Sequence, residues 1–170
     1  MNLPPKLKDM VVHGNGESFM GECKTFTRPP LEMEGEDWRG GGMIAPVKIF
    51  TGLQALEVEH TYGGEIPALN ATFAEHAIDA TQLRFTGAYQ EAAEGRYVAV
   101  EITVRGRTYA IDAGGDEVGG DTEVTYKTTC SYYKQVRNGR VEFEIDVLNK
   151  VFIVHGVDRM AEERRILGFA

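Results

Sequence analysis

Three stretches of strict period-two alternation constrain the fold more than anything else in this 170-residue chain. From Tyr97 to Arg105, Val98, Val100, Ile102 and Val104 point one way, and Tyr97, Ala99, Glu101, Thr103 and Arg105 the other. From Arg140 to Leu148, Val141, Phe143, Ile145 and Val147 share a face opposite Glu142, Glu144 and Asp146. From Gln54 to Tyr62, Leu56 and Val58 oppose Glu57 and Glu59. Successive side chains of a strand point to opposite faces, so these patterns specify half-buried strands of a mainly antiparallel sheet. His60 continues the inward face of its strand and reads as a structural histidine.

Turn residues agree. Asn15-Gly16 lies between Met10–His13 and Ser18–Phe26, and Asn138-Gly139 between the strand ending near Val136 and the one starting at Arg140. Asn-Gly supplies the positive φ angles of a two-residue hairpin turn. Glu94-Gly95 marks a further reversal before Tyr97. From Glu65 to Asp79 the period changes, with Ile66, Leu69, Phe73 and Ala77 spaced by three and four, which predicts one short amphipathic helix packed on the sheet. Pro67 is compatible with its first turn, where the missing N–H has no intrahelical partner. A second helix is expected over Asp158–Leu167, ended by Gly168. Thr27–Gly42, with Pro29, Pro30, Gly35 and Gly40-Gly41-Gly42, reads as a long extended loop, and Ala113–Asp121 as a Gly- and Asp-rich loop. Loops of such length usually have a use. No repeat or domain boundary interrupts residues 1–170, which form a single domain with the loop at about 27–42.

Chemistry is harder to find. His13, His60, His76 and His155 form no metal-binding pair at helical spacing. Gly40–Gly42 lacks the Gly-Lys-Ser/Thr and the strand-to-helix context of a phosphate-binding loop. Asp112, Asp116, Glu117 and Asp121 do not follow the calcium-loop spacing. Ser18 and Ser131 have no nucleophile-elbow context. Cys23 and Cys130 make neither a disulfide framework nor a metal cluster, and are expected to be buried or half-buried thiols. No catalytic residue, metal site or cofactor is therefore predicted. The N-terminus lacks a secretory signal, and no apolar run is long enough to span a membrane as a helix.

The formal net charge of −8 argues against tight nucleic-acid binding, which requires clustered Lys and Arg. The predicted outward strand faces are more lopsided still. They carry Glu57, Glu59, Glu101, Glu123, Glu142, Glu144 and Asp146 against Arg105 and Lys127.

Several segments, taken in order, carry a resemblance. Leu3-Pro4 to Lys8 and Phe19-Met20-Gly21-Glu22 open the chain. Trp38-Arg39-Gly40-Gly41-Gly42-Met43 is followed by Pro46-Val47. Leu83-Arg84-Phe85-Thr86-Gly87-Ala88-Tyr89-Gln90 continues through Val98–Glu101 to Arg105-Gly106-Arg107. Tyr132-Tyr133-Lys134 leads through Glu144-Ile145-Asp146 and Asn149 to His155-Gly156-Val157-Asp158, then Arg165 and Leu167-Gly168. In order and spacing these resemble the major tail tube protein family of contractile-tailed phages and R-type pyocins, over essentially the whole chain. Where the family often has Asn before the glycine, this chain has His155.

The resemblance implies an antiparallel β-barrel or sandwich with one flanking short helix, similar to the haemolysin-coregulated protein of type VI secretion. It implies a structural role without catalysis. Copies would form hexameric rings, stacked as a hollow tube inside a contractile sheath, in a virion tail assembled in the bacterial host cytoplasm. The implied partners are the chain itself, the tail sheath protein, baseplate and tail terminator proteins and the tape-measure protein. DNA would cross the lumen without specific binding, and no membrane is involved. A type VI-like secretion tube and a small acidic β-barrel binding module are the alternatives. On the tube reading, the loop would reach the adjacent ring. Met33 and Trp38 would be its anchors, Gly40, Gly41 and Gly42 its hinge, and Arg39 and Met43 its flanks. Glu57, Glu59, Glu142, Glu144 and Asp146 are the candidates for the lumen wall.

Overall fold

In the computed structural model, which describes residues 1–169, the chain begins with β1 (Lys6–Gly14), β2 (Glu17–Ser18), β3 (Cys23–Thr27), β4 (Met33–Trp38), β5 (Val47–Leu53) and β6 (Leu56–Tyr62). Helix α1 (Pro67–Asn70) precedes β7 (Thr81–Gln90), β8 (Tyr97–Asp112), β9 (Val124–Arg137) and β10 (Arg140–Asp146), and β11 (Val151–Val154), β12 (Val157–Asp158) and α2 (Ala161–Leu167) end the chain. Strands take up 53% of the residues and helices 7%, so the protein is mainly β as the alternation predicts.

The ladder runs β12-β11-β10-β9-β8-β7-β1-β2, antiparallel throughout. It forks at β9. Val124–Cys130 pairs with β6, whereas Tyr132–Arg137 pairs with β10. Ser131 sits at the fork, bulged out of register opposite Arg105 and Gly106. Its carbonyl accepts the Val147 N–H at 3.0 Å and its hydroxyl donates to the Arg105 carbonyl at 3.3 Å. The β6 branch continues to β3 and folds over the main sheet, because Phe26 of β3 stacks on Phe85 of β7 with ring centroids 4.9 Å apart. Val12, Leu83, Phe85, Val100, Ile102, Val104, Leu56, Val58, Tyr133 and Ile145 fill the space between as one buried cluster. Each such side chain contributes about 1.5–3 kcal/mol by leaving water.

Both Asn-Gly turns form as expected, with positive φ at Asn15 (47°), Gly16 (85°), Asn138 (48°) and Gly139 (78°). Each asparagine also accepts a backbone N–H from a neighbouring strand, Gln82 at 2.8 Å and Ala99 at 2.9 Å. The strand after Asn15-Gly16 is shorter than the sequence implies. It ends at Ser18, turns at Gly21 and re-emerges as β3 on β6. Phe19 turns inward at this break and is buried.

Three further expectations are corrected. The helix predicted over Glu65–Asp79 is a single turn, Pro67–Asn70. Ile66 and Leu69 are buried as the spacing implies, but Phe73 is not. The Thr72 hydroxyl donates back to the Leu69 carbonyl at 2.7 Å, and Ala74 turns left-handed (φ 60°) to donate its N–H to the Thr108 carbonyl at 3.2 Å. The segment thus gives up helical bonding to cover the free edge of β8. The loop expected at Thr27–Gly42 contains a regular strand, β4, paired with β5 as a two-stranded sheet of its own. The second helix begins at Ala161 rather than Asp158, because Asp158 is held in β12. Gly168 ends it in a left-handed cap (φ 77°).

Candidate assembly surfaces

β4 and β5 form an arm. The backbone bond from Gln54 N–H to the Glu32 carbonyl (2.9 Å) closes its root. Met33 pairs with Leu53 near the root and Trp38 with Val47 near the tip. A bulge between Glu34 and Gly35 sets the faces, so Trp38, Val47 and Ile49 share one side and Phe50 takes the other, over Gly35. A Cβ at Gly35 would lie 2.7 Å from the Ile49 carbonyl oxygen, which only glycine avoids. Trp38, Val47, Ile49 and Phe50 are each between 51% and 58% exposed, and Ile44 at the tip is 97% exposed. A soluble monomer rarely presents so much contiguous apolar surface, so the arm has the character of an interaction element.

The anchor and hinge candidates lie on this arm. Met33 is at the root and Trp38 at the tip. Arg39 donates from Nε to the Met43 carbonyl at 3.2 Å, and the Gly40 N–H points at Met43 Sδ at 3.1 Å. Gly41 and Gly42 lie in the open turn beyond, Gly42 at φ 84°. Sequence reasoning missed Val47, Ile49 and Phe50, the apolar partners across the ladder. Their signal is the cluster Val47, Ile49 and Phe50 after Pro46, which Lys48 and Thr51 interrupt without setting up a clean alternation.

The candidate acids divide. Glu57 and Glu59 point away from the core, opposite Thr129 and Lys127. Glu144 lies opposite Lys134 and Asp146 opposite Tyr132, on the same outer face. Glu142 does not join them. A bulge between Val141 and Phe143 turns it toward the rim of the core, where its carboxylate accepts from Arg137 and from Gln135. Its side chain is only 16% exposed. Glu123 precedes β9 and pairs with Lys24. The same registers place Arg84, Arg107 and Lys134 on the outer face beside Arg105 and Lys127. Against Glu57, Glu59, Glu101, Glu144 and Asp146, and with Lys6, Asp9 and Asp112 also outward, this is a nearly balanced face, less acidic than the one read from the sequence. Arg105 lies over the Tyr132 ring (4.0 Å to its centroid), and the Tyr132 hydroxyl donates to Glu144 at 3.0 Å.

Elsewhere the polar groups are structural. His60 is buried, with Nδ1 2.9 Å from the Tyr62 hydroxyl, Nε2 3.1 Å from that of Thr128, and its ring stacked on Tyr126. Burial lowers its pKa to about 3. Cys23 and Cys130 are half-buried free thiols, and burial raises them to about 11 and about 12, which leaves them weakly nucleophilic. Among the described residues, no group of His, Cys, Asp or Glu converges as a metal site. The Asp112 carboxylate accepts its own loop's Gly114 N–H, and Asp121 pairs with Lys24 at 3.4 Å.

Comparison with known proteins gives a consistent picture. The family model described as phage tail tube protein FII matches residues 4–168. The tail tube protein of Escherichia phage P2 is 39% identical over 171 residues, covering 99% of both chains. The major tail tube protein of Serratia phage KSP20 is 32% identical over 154 residues, covering 89% of this chain and 88% of its own. A chain of the extended sheath-tube complex of an extracellular contractile injection system superposes with a TM-score of 0.58 over 78% of this chain and 91% of its own. At 8% identity that likeness concerns the fold alone.

Proposed function

The chain belongs to the phage tail tube protein family, and from that premise we propose that its copies close into hexameric rings which stack as the hollow core of a contractile tail. The observation that carries the assembly reading is the β4–β5 arm, whose side chains Trp38, Val47, Ile49 and Phe50 are more than half exposed on the subunit. Contacts between unlike surfaces of identical copies close into rings when the rotation permits and otherwise propagate as filaments. A tube uses both, one within each ring and one between rings. Open sheet edges support the same reading, since β2 and β12 are two-residue edge strands whose outer backbone groups a neighbouring copy can satisfy.

The face opposite the core is proposed as the wall of the bore, with Glu57, Glu59, Glu144 and Asp146 among its side chains and Glu142 excluded by its bulge. Its charges answer one another across the strands, as in Arg84–Glu101 at 3.9 Å. A nearly balanced wall neither grips phosphates, which would add affinity with every basic contact, nor opposes their entry. The outside of the tube would then meet the sheath, and its ends the baseplate and terminator. DNA and the tape-measure protein would occupy the bore, after assembly in the host cytoplasm.

The test is direct. Concentrated wild-type protein should give rings or tubes by negative-stain electron microscopy. Replacing Met33–Leu53 with a short Gly-Ser turn should give a folded subunit that forms neither. Long tubes from the armless protein would overturn this reading.

A further inference from the structure

A cleft of about 550 Å³ opens at the root of the arm. Met33 and Phe50 of the arm line it together with Val147 and Phe152 of the β10–β11 region and Met160 just before α2. Pockets of ~300–1,000 Å³ with mainly apolar walls are where proteins bury anchoring groups. Asp146, Lys150 and Glu163 also line it, with Lys150 Nζ 2.8 Å from the Glu163 carboxylate.

We propose that this cleft is the socket for the arm tip of a second copy of this chain, with Trp38 as the inserted side chain; the inference rests on the tube reading and names the partner of the arm. The subunit cannot fill its own socket. Trp38 pairs at the far end of the ladder from Met33, five strand steps of ~3.3 Å or roughly 17 Å from the root. The paired ladder carries the tip away from the root, so the tip meets a cleft of this kind only on another molecule. The chemistry matches on both counts. Trp38, Val47 and Ile49 form the apolar side of the tip, and the cleft offers apolar walls. Trp38 is flanked by Asp37 and Arg39, while the cleft carries Lys150 beside Asp146 and Glu163, so both signs of charge at the tip meet an opposite one at the cleft mouth, in exchange for the exposed Lys48–Asp37 and Lys150–Glu163 pairs. A socket at the root of each arm also makes the contact continuous, each subunit giving a tip and receiving one.

Trp38 is the chain's single tryptophan, so its emission reports the contact. Assembly of wild-type protein should shift that emission to shorter wavelength. Val147 is 56% exposed in the subunit, so Val147→Asp should leave the circular dichroism and melting of the subunit unchanged, yet lose both the shift and the tubes. In a Cys23→Ser/Cys130→Ser background, Trp38→Cys protein mixed with Val147→Cys protein should oxidise to a dimer containing one of each. Wild-type tubes whose Trp38 emission matches the free subunit would overturn the socket. So would Val147→Asp protein that builds tubes as wild type does, or assembled cysteine variants that give no mixed dimer. Each of those results leaves the tube reading standing. Wild-type protein that never makes a ring or tube would instead remove that reading and the socket with it.

Discussion

Single residues carry consequences that can be measured on the free subunit. His60 is neutral in the fold, with burial holding its pKa near 3 against 6.5 for the ordinary side chain. The unfolded chain therefore takes up the proton first. Above pH 6.5 the residue leaves stability unchanged with pH. Between pH 6.5 and about 3 it should cost about 1.4 kcal/mol per pH unit, and below that the loss levels off. Denaturant midpoints across this range should show the slope, and His60→Gln should remove it. His155 occupies a left-handed turn (φ 47°) before Gly156, a conformation that asparagine adopts more readily. His155→Asn eases that turn but gives up the edge contact with Phe143, so it should change the subunit's stability by no more than about 0.5 kcal/mol, read in the melting temperature. The inward face of His60 was legible because its strand alternates without interruption. Glu142 was not, because a bulge reverses facing within one residue and leaves no mark on the hydrophobic pattern.

At the scale of elements, strands that bury one face announce themselves and strands that bury neither do not. β6, β7 and β8 alternate between core and solvent, so their facing follows from composition. β4 reads Met-Glu-Gly-Glu-Asp-Trp with every residue exposed except Gly35, and without an inside there is no alternation to read. Its length and odd composition signalled a use, while its regular structure remained hidden. The short helix fails for the opposite reason. Its three-and-four spacing is genuine, but bonds to Thr108 and Tyr126, which lie far away in sequence, end it after one turn. The fork in β9 depends on Gly106, where a Cβ would come within 1.9 Å of the Thr129 carbonyl oxygen. Gly106→Ala should therefore cost more than the roughly 1–3 kcal/mol of an ordinary overpacked site, lowering the unfolding midpoint sharply or preventing folding. Leu53 at its root is the arm residue that packs against this core, so the armless protein should unfold at a midpoint only modestly below that of the parent.

For the whole molecule, charge and apolar surface oppose each other. A net −8 keeps free copies apart, while in the proposed tube the arm and cleft would draw them together. Raising salt from about 10 mM to about 150 mM shortens the screening length from ~30 Å to ~8 Å and should promote assembly, seen as faster-sedimenting material at equal protein concentration. The family and the sheet could be read from residue order alone. Which surfaces meet could not, because that depends on registers, bulges and an arm's reach rather than on any local pattern.

The arm leaves the body at one place and has no mirror-related counterpart on the same chain. A polymer built through it has direction: one terminus presents bare tips and the other vacant receiving surfaces. The two extremities are thus chemically unlike, and whatever starts such a polymer cannot also be what stops it.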